Sequence, residues 1–131
     1  MIVVDTSAIV AILALESDAD FFRDVISDNV GCTISAATFV ELSIVGRRFQ
    51  RTAGLTTQDE FLGRYEIAIH PFDERQARIA AEAYRRFGKG NHSAGLNFGD
   101  CFAYALAKSL DAPLLFKGAD FARTDVRAWN G

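Results

Sequence analysis

Four acidic residues lie far apart in this chain, and each stands beside a local signal that would bring it to a common place. Asp5 directly follows a short apolar run, and Asp120 comes a few residues after another one. Glu41 and Asp100 lie on segments with a helical pattern. In a parallel α/β fold, strand ends and adjoining helix starts meet at one rim of the sheet, where such folds bind ligands. Carboxylates crowded there repel one another, and Mg²⁺ or Mn²⁺ ions are the usual means of neutralising them.

The first two acids interrupt apolar surroundings. Asp5 ends a β-branched run that is typical of a buried strand, where a carboxylate is costly unless it is paired or binds a metal. It could instead cap the first helix, although Thr6 or Ser7 can do that. Glu41 shares a helical stripe with apolar residues, so a functional role competes with a salt bridge to the arginines at 47–48.

The other two acids have structural explanations of similar weight. Asp100 comes three residues after Asn97, a spacing that resembles a helix capping box. Its neighbours on the same helical face are apolar, which favours a functional role. Asp120 follows a strand and a turn, where an aspartate often makes local hydrogen bonds. Asp125 competes with it for the role of fourth acid.

Basic residues cluster at the end of a predicted helix and in the glycine-containing loop after it. Arg85, Arg86 and Lys89 belong to this cluster, and Lys117 stands close to Asp120 in the sequence. A solvated helix end that complements the helix dipole is one explanation. The other is contact with phosphates, which depends on the acidic site being real.

Length, net charge and cysteine content limit the classes of protein to which this chain can belong. The chain has 131 residues, enough for one domain (1–131) with a sizeable core, and a net charge of −3. This charge excludes a strongly basic protein that binds nucleic acid by charge alone. Two isolated cysteines and no metal-ligand pairing of His and Cys argue against a zinc site and predict free, buried thiols. No signal peptide or membrane-spanning run is apparent, so we expect a cytoplasmic protein.

Apolar runs alternate with helical patterns along the whole chain, which predicts an α/β fold with a mostly parallel sheet and helices on both faces. The predicted strands are Ile2–Val4, Cys32–Ile34, Ile67–Ile69 and Leu114–Phe116, with a fifth, edge strand at Val126–Trp129. The predicted helices run from Thr6 to about Leu15, Asp18–Ile26, Ser35 to about Arg51, Thr57–Tyr65, Asp73–Phe87 and Phe98–Leu110, with a turn at 52–57 and a short helical turn at Ala119–Ala122.

Four ordered motifs, VVDTSAIVAIL, FVEL, LNFGDCFAYALAKSL and PLLFKGADFARTDV, cover nearly the whole chain. Together they resemble the PIN-domain ribonucleases and, more narrowly, the VapC toxins of type II toxin–antitoxin systems. The resemblance implies a three-layer α/β/α PIN-like fold with a sheet of four to five strands. It also implies an active site that uses Mg²⁺ or Mn²⁺, with the family's acidic positions at Asp5, Glu41, Asp100 and Asp120.

The resemblance assigns roles to these residues. Asp5, Asp100 and Asp120 would be the metal ligands, with Glu41 completing the site directly or through water, and Thr6, Ser7 and Asn97 would support it. The implied reaction is hydrolysis of an RNA phosphodiester by metal-activated water, leaving 5′-phosphate and 3′-hydroxyl ends. Implied partners are an RNA substrate such as tRNA, contacted by Arg85, Arg86, Lys89 and Lys117, a VapB-like antitoxin that inserts a segment into the active-site groove, and a second copy of the chain in a homodimer.

Two alternatives to a nuclease remain open at this point. One is a phospho-receiver signalling domain, which also has acids at the ends of parallel strands. Such a domain needs paired acids after its first strand and an acceptor aspartate after a middle one, whereas only Asp5 follows the first predicted strand here and the second ends without an acid. The other alternative is a catalytically idle PIN module that only binds a partner.

Overall fold

A computed structural model describes residues 1–49, 51, 54–55 and 57–131. Its order of elements confirms the predicted alternation of strands and helices. The strands are β1 (Ile2–Val4), β2 (Cys32–Ser35), β3 (Ala68–His70) and β4 (Leu114–Leu115). The helices are α1 (Thr6–Leu13), α2 (Ala19–Asp28), α3 (Ala36–Val45), α4 (Gln58–Arg64), α5 (Glu74–Phe87) and α6 (Phe98–Leu110), with a 3₁₀ turn at Arg47–Phe49.

The four strands form one parallel sheet in the order β3-β2-β1-β4. Strand β1 is central, so its three residues are buried on both faces of the sheet. The predicted edge strand at 126–129 is reduced to a single bridge between Ala128 and Leu114. Because β1 is flanked by β2 and β4, its carboxyl end lies in the middle of one rim of the sheet.

Helices cover both faces of the sheet and create two apolar cores. Ile2 and Val4 point into a core shared with α1 to α4, whereas Val3 points into the core formed with α5 and α6. This alternation follows from the two-residue period of a strand. The result is the three-layer α/β/α arrangement that the sequence predicts.

Two helix ends were predicted too late in the chain. Helix α1 stops at Leu13 rather than Leu15, which has a positive φ of 54°. Helix α3 stops at Val45 rather than at about Arg51, because Gly46 caps it and a 3₁₀ turn follows. A Cβ at Gly46 would come within 2.9 Å of the Leu42 carbonyl oxygen and side chain, so the chain packs closely there. The predicted turn at 52–57 falls partly outside the described residues.

Three smaller predictions can also be compared with the structure. Residues Ala119 and Ala122 are joined by a hydrogen bond of 3.2 Å in a turn, not in a helix. Both cysteines are buried and free, as predicted. Within the described part of the chain, no helix combines the length and the apolar character needed to span a membrane.

Candidate active site

Asp5 lies at the carboxyl end of β1, where its backbone N–H donates to the Leu115 carbonyl of the neighbouring strand over 2.9 Å. Its carboxylate Oδ2 accepts from the Ser7 backbone N–H over 3.0 Å, so Asp5 itself caps α1. The prediction that Thr6 or Ser7 caps this helix is therefore wrong. Asp5 is thus both a helix cap and a neighbour of Glu41, because a residue that ends a central strand also begins the next helix.

Burial acts strongly on the Asp5 carboxyl, which is 4% exposed. The pKa of Asp5 is raised to about 6, mainly by this burial and also by the charge of Glu41, while hydrogen bonds from Ser7 and Thr6 lower it. A carboxylate that is buried and also faces a second carboxylate gains from a bound cation.

Glu41 reaches this site from α3, and Thr6 holds it there. The Thr6 hydroxyl donates to Glu41 Oε1 over 2.6 Å, across 35 residues of sequence. Thr6 is buried, whereas Glu41 is only half-buried. The alternative salt bridge from Glu41 to Arg47 or Arg48 does not occur among the described residues.

Asp100 enters from the first turn of α6 and takes part in the predicted capping box. The Asn97 backbone N–H donates to Asp100 Oδ2 over 3.0 Å, and the Asp100 backbone N–H donates to Asn97 Oδ1 over 2.8 Å. Burial raises the pKa of Asp100 to about 8, and the charges of Asp5 and Asp120 add to this effect. Asp100 is therefore both a helix cap and part of a carboxylate cluster.

Asp120 and Asp125 lie in different surroundings, which separates two candidates that the sequence leaves open. The side chain of Asp120 is exposed and shares a hydrogen bond with Asp100. Asp125 instead accepts from the Tyr104 hydroxyl and from Lys108 Nζ. Burial opposes ionisation of Asp125, but these two donors together hold its pKa below the ordinary value. Asp120 is thus the acid that joins the cluster.

Three of the four basic residues predicted to contact RNA lie close to acidic side chains outside the cluster of Asp5, Glu41, Asp100 and Asp120. Lys117 Nζ donates to Glu16 over 2.8 Å and to Asp18 over 3.0 Å, whereas Arg85 pairs with Glu82 on the exposed side of α5. Arg86 lies 3.7 Å from Asp125 and stacks over the Phe87 ring. Lys89 is exposed, and no ion pair of it occurs within the described residues.

The donor set fits a hard divalent cation. The acidic side chains that interact at this rim are Asp5, Glu41, Asp100 and Asp120. No three His, Cys, Asp or Glu side chains of the described residues converge closely enough to hold an ion by themselves. Magnesium keeps several waters and needs only one or two carboxylates, so the buried pair Asp5 and Asp100 meets its requirements.

The PIN-domain family model matches residues 2–127 of this chain. The chain is 49% identical over 127 residues to ribonuclease VapC of Mycolicibacterium smegmatis, covering 96% of this chain and 98% of that protein. This chain belongs to the VapC family of PIN-domain proteins. Ribonuclease VapC42 of Mycobacterium tuberculosis is 43% identical over 126 residues, which cover 95% of this chain and 96% of that protein. This family membership excludes the phospho-receiver alternative.

Solved structures agree with the VapC fold. Mycobacterium tuberculosis VapC20, described as a toxin that cleaves the sarcin–ricin loop, superposes with a TM-score of 0.75 at 14% identity and covers both chains completely. VapBC2 from Rickettsia felis, bound to a DNA fragment from its promoter, has a TM-score of 0.69 at 18% identity, covering 98% of this chain and 96% of that one. At these identities the likeness shows the fold alone.

Sequence reasoning missed two features of this VapC-family site. Ser7 Oγ accepts from the Lys117 backbone N–H over 2.9 Å, which ties the segment carrying Asp120 to α1. Gly99 lies against the Glu41 carboxylate. A glycine in the first turn of an apolar helix is the one signal in the sequence that points to such a close approach.

The different surroundings of Asp120 and Asp125 lead to opposite expectations. Asp120→Asn is expected to lower RNA cleavage about 10- to 100-fold, the usual cost of disturbing a residue beside a metal ligand, with little change in Tm. Asp125→Asn is expected to lower the free energy of unfolding by about 1–2 kcal/mol through the weakened Tyr104 contact, with cleavage nearly unchanged. Thermal melts and cleavage rates of the two variants measure this, and the reverse pattern would make Asp125 the fourth acid.

Proposed function

We propose that this chain is a metal-dependent endoribonuclease of the VapC type, in which Asp5 and Asp100 hold a divalent cation at the carboxyl end of the sheet. The observation that carries the proposal is the burial of both carboxyls together, which raises the pKa of Asp5 to about 6 and that of Asp100 to about 8. Lys117, the cation that follows β4, is bound to Glu16 and Asp18, so it does not neutralise the Asp5 and Asp100 carboxylates. Since the proposed substrate is cellular RNA, we place its action in the cytoplasm.

The roles of the acidic residues follow from their contacts. Asp5 and Asp100 would hold the cation, and Asp120, which is hydrogen-bonded to Asp100, and Glu41 would complete the site directly or through a bound water. A bound Mg²⁺ or Mn²⁺ would supply Lewis acidity there, which would lower the pKa of a water and stabilise charge on the phosphodiester. Asn97 fixes the orientation of Asp100 through the capping box, and Thr6 fixes that of Glu41 through its 2.6 Å hydrogen bond.

RNA binding would use exposed basic side chains. Arg85, Arg86, Lys89 and Lys117 remain our candidates, and Lys89 is the one whose charge is least engaged. The pair between Arg85 and Glu82 is exposed, and such pairs contribute little, so a phosphate can replace the glutamate. Sequence-specific contacts with RNA are made mostly to single-stranded loops, which fits a structured substrate such as tRNA.

An antitoxin would cover the apolar surface beside the acids. Val40, Ile44 and Phe98 are 56%, 70% and 77% exposed, and together with Phe72, Phe102 and Glu41 they line a groove of about 450 Å³. An apolar surface of this kind marks an interaction site. A segment of a VapB-like antitoxin in this groove would also block access to the acids, and a second copy of the chain is the other expected partner.

A catalytically idle PIN module that only binds a partner is the second candidate function. The exposed groove favours this binding module as much as it favours the nuclease. The two are separated by incubating the purified chain with 5′-labelled tRNA and ribosomal RNA in Mg²⁺ or Mn²⁺ and mapping the ends. The nuclease proposal expects discrete cuts with 5′-phosphate and 3′-hydroxyl ends. Intact RNA, or 2′,3′-cyclic phosphate ends formed equally well in chelator, would reject it.

A further inference from the structure

Gly99 has no conformational reason to be glycine. It is the second residue of α6, and its φ does not fall in the left-handed region that favours glycine. Glycine inside a helix is unfavourable relative to alanine, because it loses more backbone entropy on folding. Gly99 is also buried, and at a buried position a larger side chain would add packing contacts. A glycine at this position therefore indicates that another group occupies the volume where a Cβ would lie.

That volume is occupied by the carboxylate of Glu41. A Cβ built on Gly99 would lie 1.7 Å from Glu41 Oε2 and 2.5 Å from Glu41 Cδ. Real Cβ atoms do not approach other atoms so closely, hence even alanine cannot coexist with this position of Glu41. On its other oxygen, Glu41 accepts the 2.6 Å hydrogen bond from Thr6. The carboxylate is thus held between a donor on α1 and a bare backbone on α6.

We propose that Gly99 is a positioning residue that seats the Glu41 carboxylate against Thr6, next to Asp5 in the acidic cluster. The inference rests on the proposed function, since it assigns Glu41 a place in the cation site. Glu41 is a long, half-buried side chain that lines the groove, so a residue larger than glycine at 99 would turn its carboxylate away without disrupting either helix. The contact with Thr6 would be lost in that movement.

The test compares Gly99→Ala with Gly63→Ala, a matched change in α4 where nothing lies within 4 Å of the new Cβ. Three quantities are measured: the Tm without metal, the affinity for Mn²⁺ by calorimetry, and single-turnover RNA cleavage. We expect Gly99→Ala to fold with a Tm close to wild type and to lose roughly tenfold or more in both Mn²⁺ affinity and cleavage. Gly63→Ala is expected to leave both unchanged.

A double-mutant cycle with Glu41→Ala decides whether the effect passes through Glu41. In the Glu41→Ala background the new methyl group meets no carboxylate, so Gly99→Ala should add less than about a twofold loss. A full, independent loss in that background, or no loss in the wild-type background, would overturn the proposal. Should Gly99→Ala unfold the chain, rescue of the Tm by Glu41→Ala supports the clash, and failure to rescue overturns it.

The same design separates this inference from the proposed function. If the wild-type chain binds Mn²⁺ but cleaves no RNA, the nuclease proposal fails while the cycle in Mn²⁺ affinity still tests the seating of Glu41. If cleavage is normal and Gly99→Ala is neutral in both readouts, the nuclease proposal stands and the inference about Gly99 is rejected.

Discussion

Asp100→Asn is expected to lower single-turnover RNA cleavage by more than about 100-fold in a protein that remains folded. Residues that only support a metal ligand typically cost 10- to 100-fold when changed, so loss of a ligand charge costs more. Asparagine keeps an oxygen that can accept from the Asn97 backbone N–H, so the capping box survives. The change therefore removes charge from the site and leaves the helix start intact. The measurement is the cleavage rate with enzyme in excess over RNA, at saturating Mg²⁺.

Asp5→Asn should show the same behaviour, because its amide oxygen can still accept from the Ser7 backbone N–H. The matched control is Asp73→Asn. Asp73 also caps a helix, accepting from the Gln76 backbone N–H over 2.9 Å, but it stands at the start of α5 and takes no part in the cluster. It should cleave at the wild-type rate. If Asp5→Asn and Asp100→Asn cleave as well as this control, the carboxylates are structural caps and not the catalytic centre.

The metal-free protein is expected to become less stable as the pH rises from about 5 to 8. Burial raises the folded-state pKa of Asp5 to about 6 and that of Asp100 to about 8, both above the ordinary aspartate value of 3.8. In this range the folded chain therefore holds protons that the unfolded chain has lost. By linkage, stability falls with pH wherever the folded state binds more protons.

Thermal melts between pH 5 and 8 in the presence of chelator measure this dependence. The Tm of the wild type should fall by several degrees, and Asp100→Asn should flatten the fall and have a higher Tm at pH 8. Adding Mg²⁺ or Mn²⁺ at pH 8 should raise the Tm of the wild type, because a ligand that binds only the folded state stabilises it. Asp73→Asn should follow the wild type. A wild-type Tm that does not fall between pH 5 and 8 would contradict the buried, crowded state of the two carboxyls.

The sheet and the position of Asp5 could be predicted because both depend on local signals. A β-branched run at 2–4 followed by an acid indicates a central strand and its carboxyl end, and Asn97 with Asp100 indicates a helix start. The family motifs supplied the expectation that Glu41 joins them. The helical pattern around Glu41 does not show whether this acid faces a core or an open surface. In the structure, the neighbouring Val40 and Ile44 line an open groove rather than a core.

Features that depend on distant partners could not be predicted. The Tyr104 hydroxyl that engages Asp125 is 21 residues away, so local pattern alone does not separate Asp125 from Asp120. Lys117 is a candidate phosphate contact from the sequence, and no local pattern reveals that Glu16 and Asp18, from the other end of the chain, bind its ammonium group. The end of α3 was placed too late because a single glycine at 46 can be tolerated within a helical pattern.

Metal dependence of RNA cleavage tests the central claim most directly. The purified wild-type chain is stripped with chelator, passed into metal-free buffer, and incubated with labelled RNA while Mg²⁺ or Mn²⁺ is titrated back. The account predicts no cleavage without metal, recovery as the ion is added, and no recovery at the same ion concentrations for Asp100→Asn. Cleavage by the stripped wild type at its full rate, or equal recovery in Asp100→Asn, would contradict it.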